Sequence, residues 1–144
     1  MELTIKQALQ RGVAAHKEGK IQEAERLYRA ILKSQPLHPN ANHNLGLIAV
    51  SVNKPDVALP LFKTALEANP KIELFWLSYI DALIKEKQFD NAKQALKQAE
   101  NQGVATEKLN VLKTQLTQIV RVNEPKLATQ NKNLSLLQKR KKLS

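Results

Sequence analysis

The sequence predicts an all-α protein built as a stack of helical hairpins, and three observations carry that prediction. Ala, Leu, Lys, Gln and Glu dominate the 144 residues while aromatics make up 4%, a composition of helix formers rather than strand formers. Shifting the chain by 34 residues superposes its small and bulky positions over three copies. The columns are Gly12, Gly46 and Ile80; Ala24, Ala58 and Ala92; Tyr28, Phe62 and Leu96; Ile31, Ala65 and Ala99; and Pro36, Pro70 and Val104. Internal repetition of this length marks a stacked array whose units cannot bury their apolar faces alone. Between the columns, apolar residues recur at helical spacing and turn residues punctuate them.

The elements follow in order. First helices are expected at about 4–17, 40–52 and 73–86, and second helices at about 21–34, 55–68 and 89–101. Turns fall at Glu18-Gly19-Lys20, Val52-Asn53-Lys54 and Glu86-Lys87-Gln88. Pro36 and Pro70 cannot continue a helix and end the first two units. Pro55 suits the first turn of its helix, where its missing N–H would be unpaired anyway, whereas Pro60 lies inside the same helix and is expected to bend it outward. After the third unit, Thr106 is a good N-cap for a row of Leu109, Leu112, Leu116 and Ile119, which reads as a capping helix at about 106–122. Its removal is expected to make the protein aggregate. The repeat domain thus spans 1–122, with units at about 5–38, 39–72 and 73–106. Residues 123–144 form a basic linker or tail, or a short helix; Pro125 resets the chain, and Leu127, Leu134, Leu136, Leu137 and Leu143 are scattered among polar and basic residues.

The columns have physical reasons. Gly12 and Gly46 on first helices, and Ala24, Ala58 and Ala92 on second helices, lack bulk where two helices cross, so the axes can approach closely. Tyr28, Phe62 and Leu96 lie four residues beyond the alanines on the same face, placed to fill the space between neighbouring hairpins.

In these columns the chain resembles the tetratricopeptide repeat family, whose unit is 34 residues. The middle copy, Pro39 to Ile72, matches best, with Asn44-Leu45-Gly46, Ala58, Phe62, Ala65 and Pro70 in place. The resemblance covers about residues 5–106. The third unit departs from it, with Ile80 in place of Gly and Gly103-Val104 in place of Pro, while Trp76 occupies the family's favoured aromatic position. The resemblance implies a right-handed superhelical stack of three hairpins plus the capping helix, with first helices lining a concave groove. The groove residues so implied are Lys6, Leu9, Gln10, Val13, His16 and Lys17 in the first unit. The second contributes Asn40, His43, Asn44, Leu47, Val50 and Ser51, and the third Leu74, Leu77, Ser78, Asp81, Ile84 and Lys85. Such a floor suits an extended or helical peptide; equally, Leu9, Val13, Leu47 and Val50 could be partly covered structural residues. Members that clamp a chaperone's C-terminal carboxylate use Lys, Asn and Arg where this chain has Leu9, Val13, Asn44, Leu74 and Ser78. No useful affinity for chaperone tails is expected.

Charge and composition bound the function. The net charge is +10, but half of the excess lies in the last 22 residues, where six Lys/Arg face Glu124 alone. A basic cluster at a chain end reads as a solvated linker, and specific nucleic-acid binding is not expected. There is no Cys. The N-terminus lacks a signal-peptide pattern, and the longest apolar stretch, Leu45 to Val50, is far too short to span a bilayer. A soluble, cytoplasmic protein without a transmembrane segment is expected. His16, His38 and His43 are the only histidines, and His38 with His43 lacks a third ligand, so neither metal nor cofactor is expected. No phosphate loop, paired-carboxylate motif or nucleophile signature appears, so this chain is not expected to be an enzyme.

Two readings of function remain. In the first, the chain is a scaffold binding a protein or peptide partner in its groove, and its own C-terminal leucines, in cis or from a second copy, are one candidate occupant. In the second, it is the substrate-recruiting front of a longer protein. The run from Gly19 to Leu32, followed by Pro36-Leu37-His38-Pro39-Asn40-Ala41, is similar to N-terminal repeats of bacterial proteins with a downstream glycosyltransferase-like domain.

Overall fold

A computed structural model describes residues 2–123 of the chain. The tail expected over 123–144, and with it the self-association for which its leucines were a candidate, lies outside the described residues except for Asn123, the last residue of a helix. The described residues form seven α-helices: α1 Ile5–Lys17, α2 Ile21–Ser34, α3 Pro39–Ser51, α4 Pro55–Ala68, α5 Glu73–Lys85, α6 Phe89–Asn101 and α7 Glu107–Asn123. Consecutive helices pair as three hairpins, α1 with α2, α3 with α4 and α5 with α6. Contacts of α2 with α3 and of α4 with α5 stack the hairpins, and α7 closes the array against both α5 and α6.

Local chemistry explains the boundaries. Thr4 and Gln7 form a capping box on α1, with Gln7 N–H donating to Thr4 Oγ1 at 3.1 Å and Thr4 N–H to Gln7 Oε1 at 3.0 Å, which satisfies two otherwise orphaned donors. On α3 the cap is His38, whose Nδ1 accepts from the Ala41 N–H at 3.1 Å, with Pro39 in the first turn. Each hairpin reverses through one residue in the left-handed region: Gly19 (φ 79°), Asn53 (φ 61°) and Lys87 (φ 59°). In each, the following N–H donates back across the turn, Lys20 to Ala15, Lys54 to Ala49 and Gln88 to Leu83, all at 2.8 Å. These are the outer bonds of a Schellman closure. Pro36 and Pro70 end the first two units, but the third leaves α6 through Gly103 (φ 80°), with Val104 N–H donating to Ala99 at 2.9 Å.

Ala24, Ala58 and Ala92 are fully buried, as their column requires. The glycine column has a different partner from the one its spacing suggests. A Cβ on Gly12 would stand 2.6 Å from Tyr28 Cε1, and one on Gly46 would stand 2.4 Å from Phe62 Cε1. The aromatic rings therefore lie over the glycines of their own hairpins rather than only filling the space between hairpins. In the third unit Ile80 and Leu96 are both buried, so the bulk has moved from second helix to first while the crossing stays filled. Helix α4 runs through Pro60 without a break, the proline is exposed, and Thr64 Oγ1 donates to its carbonyl at 2.9 Å.

A second repeated link ties unit to unit. Asn42 Nδ2 donates to the Pro36 carbonyl at 3.0 Å, and one repeat later Trp76 Nε1 donates to the Pro70 carbonyl at 2.7 Å. Each bond satisfies a carbonyl in the turn just past a second helix and fixes the next first helix against it.

Candidate functional site

Helices α1, α3 and α5 carry the residues expected to line a groove, and each side chain's position follows from its register. On α1, Leu9, Val13 and His16 are half-buried while Lys6, Gln10 and Lys17 are exposed. On α3, Asn44, Leu47 and Val50 are half-buried, and Asn40 and Ser51 are exposed. On α5, Leu77, Ser78, Asp81 and Ile84 are half-buried, and Leu74 and Lys85 are exposed. The apolar members share burial with the core: Leu9 packs on the first cluster, Leu47 and Val50 on the cluster around Phe62, and Leu77 and Ile84 on the third-unit cluster. They are thus partly structural and partly open, as amphipathic first helices must be if one face supports the stack and the other meets solvent.

His43 departs from its expected place. It is 2% exposed, with its ring between Phe62 (centroids 5.4 Å) and Phe75 (4.9 Å), so it belongs to the core and not to an open groove floor. Its Nε2 stands 2.7 Å from Ser78 Oγ, tying α3 to α5, and its Nδ1 stands 3.4 Å from Asn44 Oδ1. Burial holds its pKa below the usual histidine value, opposed by the bond to Asn44. The ring is therefore neutral near neutrality, and these two partners assign it a proton on Nδ1 donated to Asn44, with Nε2 accepting from Ser78.

Five of the expected groove residues come together. Val13, His16 and Lys17 of α1 meet Asn44 and Leu47 of α3 around a cavity of about 400 Å³, with Tyr28 of α2 as a further lining residue. Val13 and Leu47 are one repeat apart, so the cavity sits where the first two units adjoin. Lys6, Leu9, Gln10, Asn40 and Leu74 do not line it. Further along, Asp81 is paired with Lys85 at 3.0 Å, a half-exposed pair one helical turn apart, which offsets part of the Lys85 charge. Sequence reasoning missed Tyr28, a second-helix residue read as packing; its polar hydroxyl in an otherwise apolar column was the signal.

The array also carries a groove of about 530 Å³ on another side, between α2, α3 and α4, lined in part by Ile21, Ile48, Val52, Val57 and Leu61. Among the described residues no group of three His, Cys, Asp or Glu side chains is placed to hold a metal ion. His38 and His43 are spent on a helix cap and a core bond. Among the described residues no helix is long and apolar enough to cross a membrane.

Two family models described as tetratricopeptide repeat match the chain, one over residues 49–116 and one over residues 9–51. No curated protein sequence gives a significant match. Among solved structures, a mutant of MamA is 28% identical with a TM-score of 0.68, over 85% of this chain and 72% of that one. The first repeat domain of Spaghetti (RPAP3), bound to an HSP90 peptide, is 17% identical with a TM-score of 0.71, over 84% and 98%. An O-GlcNAc transferase mutant from Thermobaculum terrenum is 22% identical with a TM-score of 0.61, over 69% of this chain and 20% of that one. The last two likenesses are of fold alone.

Proposed function

The chain belongs to the tetratricopeptide repeat family, and from that membership we propose that it is a non-enzymatic interaction module holding a partner polypeptide along the furrow lined by α1, α3 and α5. The observation that carries this reading is the cavity shared by α1 and α3. Equivalent positions of successive first helices, Val13 and Leu47, face one opening together with polar Asn44 and cationic Lys17. A furrow with apolar walls and a few placed polar groups suits an extended or helical segment, whose backbone takes the hydrogen bonds and whose apolar side chains fill the gaps. Binding of an HSP90 peptide by the Spaghetti domain supports the class of ligand, not its identity.

A C-terminal carboxylate would find little charge at the positions that clamp chaperone tails, since Leu9, Val13, Leu74 and Ser78 stand there and only Asn44 matches. The second reading gives the same furrow to the substrate polypeptide of a downstream glycosyltransferase-type domain. Its support is the fold likeness to the transferase's repeats.

The test is a capture experiment comparing the native chain with a Leu47→Glu, Leu77→Glu variant and with a Leu37→Glu, Val57→Glu variant. Leu37 and Val57 are exposed and line no part of the furrow cavity. The reading expects partners held by the native chain to be lost by the first variant and kept by the second. Equal retention by both variants, with all three chains helical by circular dichroism, would refute it.

A further inference from the structure

Tyr28 and Phe62 occupy the same position one repeat apart, and both are fully buried over a glycine, Gly12 and Gly46. The second unit shows that a phenyl ring completes the crossing without a hydroxyl. At Tyr28 the hydroxyl is the one buried side-chain polar atom among the described residues with no hydrogen-bond partner. Burying an unpaired hydroxyl opposes folding, so packing does not account for it. Burial pushes the phenol's pKa up and the nearby Asn44 amide pulls it the other way, yet no atom stands in hydrogen-bonding geometry to the oxygen.

The residue lines the cavity of Val13, His16, Lys17, Asn44 and Leu47, and the groups there are biased toward donors. Asn44 Oδ1 is engaged by His43 Nδ1, and its amide group stands beside the Tyr28 hydroxyl. Lys17 adds a cation and His16 an imidazole. Neither α1 nor α3 carries a single Asp or Glu. We infer that this cavity seats the carboxylate of an aspartate or glutamate side chain within the partner polypeptide, with the Tyr28 hydroxyl and the Asn44 amide donating to it and Lys17 supplying the opposite charge. Val13 and Leu47 flank the methylene stem. The cavity lies where the first two units adjoin, and the third-unit positions that clamp a terminal carboxylate hold Leu74 and Ser78, which selects an internal side chain over a chain terminus. This deepens the furrow reading and rests on it.

The probe is a set of acetylated peptides of mixed sequence, each made with Glu or with Gln at its centre and with an amidated or a free C-terminus, read by fluorescence polarisation against the full chain. Peptides that bind are expected to lose about tenfold in affinity on the Glu-to-Gln exchange, the range of one hydrogen bond to a charged group. Tyr28→Phe is expected to lose a similar factor, to become insensitive to the exchange, and to melt no lower than the native chain. A Lys17→Gln variant should bind more weakly, with a flatter salt dependence. Three results would overturn the inference: Tyr28→Phe binding as the native chain does; Gln peptides matching Glu peptides; or binding that needs a free C-terminus. Peptides that bind, are lost on Leu47→Glu and ignore the exchange leave the furrow standing and sink the carboxylate seat. A set in which nothing binds the native chain removes both.

Discussion

A methyl group on Gly46 would stand 2.4 Å from a Phe62 ring carbon, and that distance decides a competition. Alanine in a helix interior is ordinarily better than glycine by about 1 kcal/mol, but the ring has no room to yield in a fully buried crossing. Gly46→Ala is therefore predicted to destabilise by about 1–3 kcal/mol in urea unfolding. Adding Phe62→Leu should recover part of the loss, because Leu96 beside Ile80 shows that a smaller second-helix residue accepts a larger first-helix one. His43 gives a prediction in pH. Burial lowers its pKa in the folded chain below the ordinary histidine value of 6.5, so its contribution is complete above 6.5 and is lost as pH falls through that value toward the folded pKa. The urea midpoint should drop between pH 7 and pH 5, and drop less in a His43→Gln variant. At this scale the sequence was half legible. Spacing identifies which residues are small and which share a face, but not which neighbour each touches. Gly12 and Tyr28 were visible as columns and not as a pair, and counting along α3 placed His43 in the groove because its partners Phe62, Phe75 and Ser78 are distant in sequence.

Helix boundaries were the most legible feature, because punctuation sets them locally. Capping groups at Thr4 and His38, Pro39, Pro55 and the three tight reversals lie within a few residues of the ends they define. What spacing did not reveal is that the reversals share one left-handed residue, glycine once and then Asn53 and Lys87. A left-handed Lys costs about 1–2 kcal/mol, whereas Asn tolerates the region better. Lys87→Gly is predicted to raise stability by about 1 kcal/mol, and Asn53→Gly to raise it less; thermal melts of the two variants rank them. The capping helix was read from Leu109, Leu112, Leu116 and Ile119, and Leu109 and Leu116 are the two that are fully covered, at 3% and 2% exposure. Leu116→Ala should cost about 2–5 kcal/mol, whereas Val111→Ala, at an exposed site on the same helix, should change the unfolding midpoint little.

For the whole molecule, the stack follows from two links repeated at 34-residue intervals: small residues at each hairpin's crossing, and a side-chain N–H from Asn42 or Trp76 to the carbonyl of the preceding proline. The first was legible in the sequence. The second was not, because Asn and Trp share no chemical class that a column would reveal, only a donor at the same place. The same geometry brings first helices side by side and places the cavity of Val13 and Leu47 between α1 and α3, while the groove over Ile48 and Val57 is not signalled by the spacing, because three helices and a turn supply its walls. The two faces can be told apart directly by placing a benzophenone side chain at position 47 in one chain and at position 57 in another, then irradiating each with a bound partner. The account predicts crosslinks from position 47 that a Leu77→Glu substitution suppresses, and none from position 57. Crosslinks from position 57 alone would contradict it.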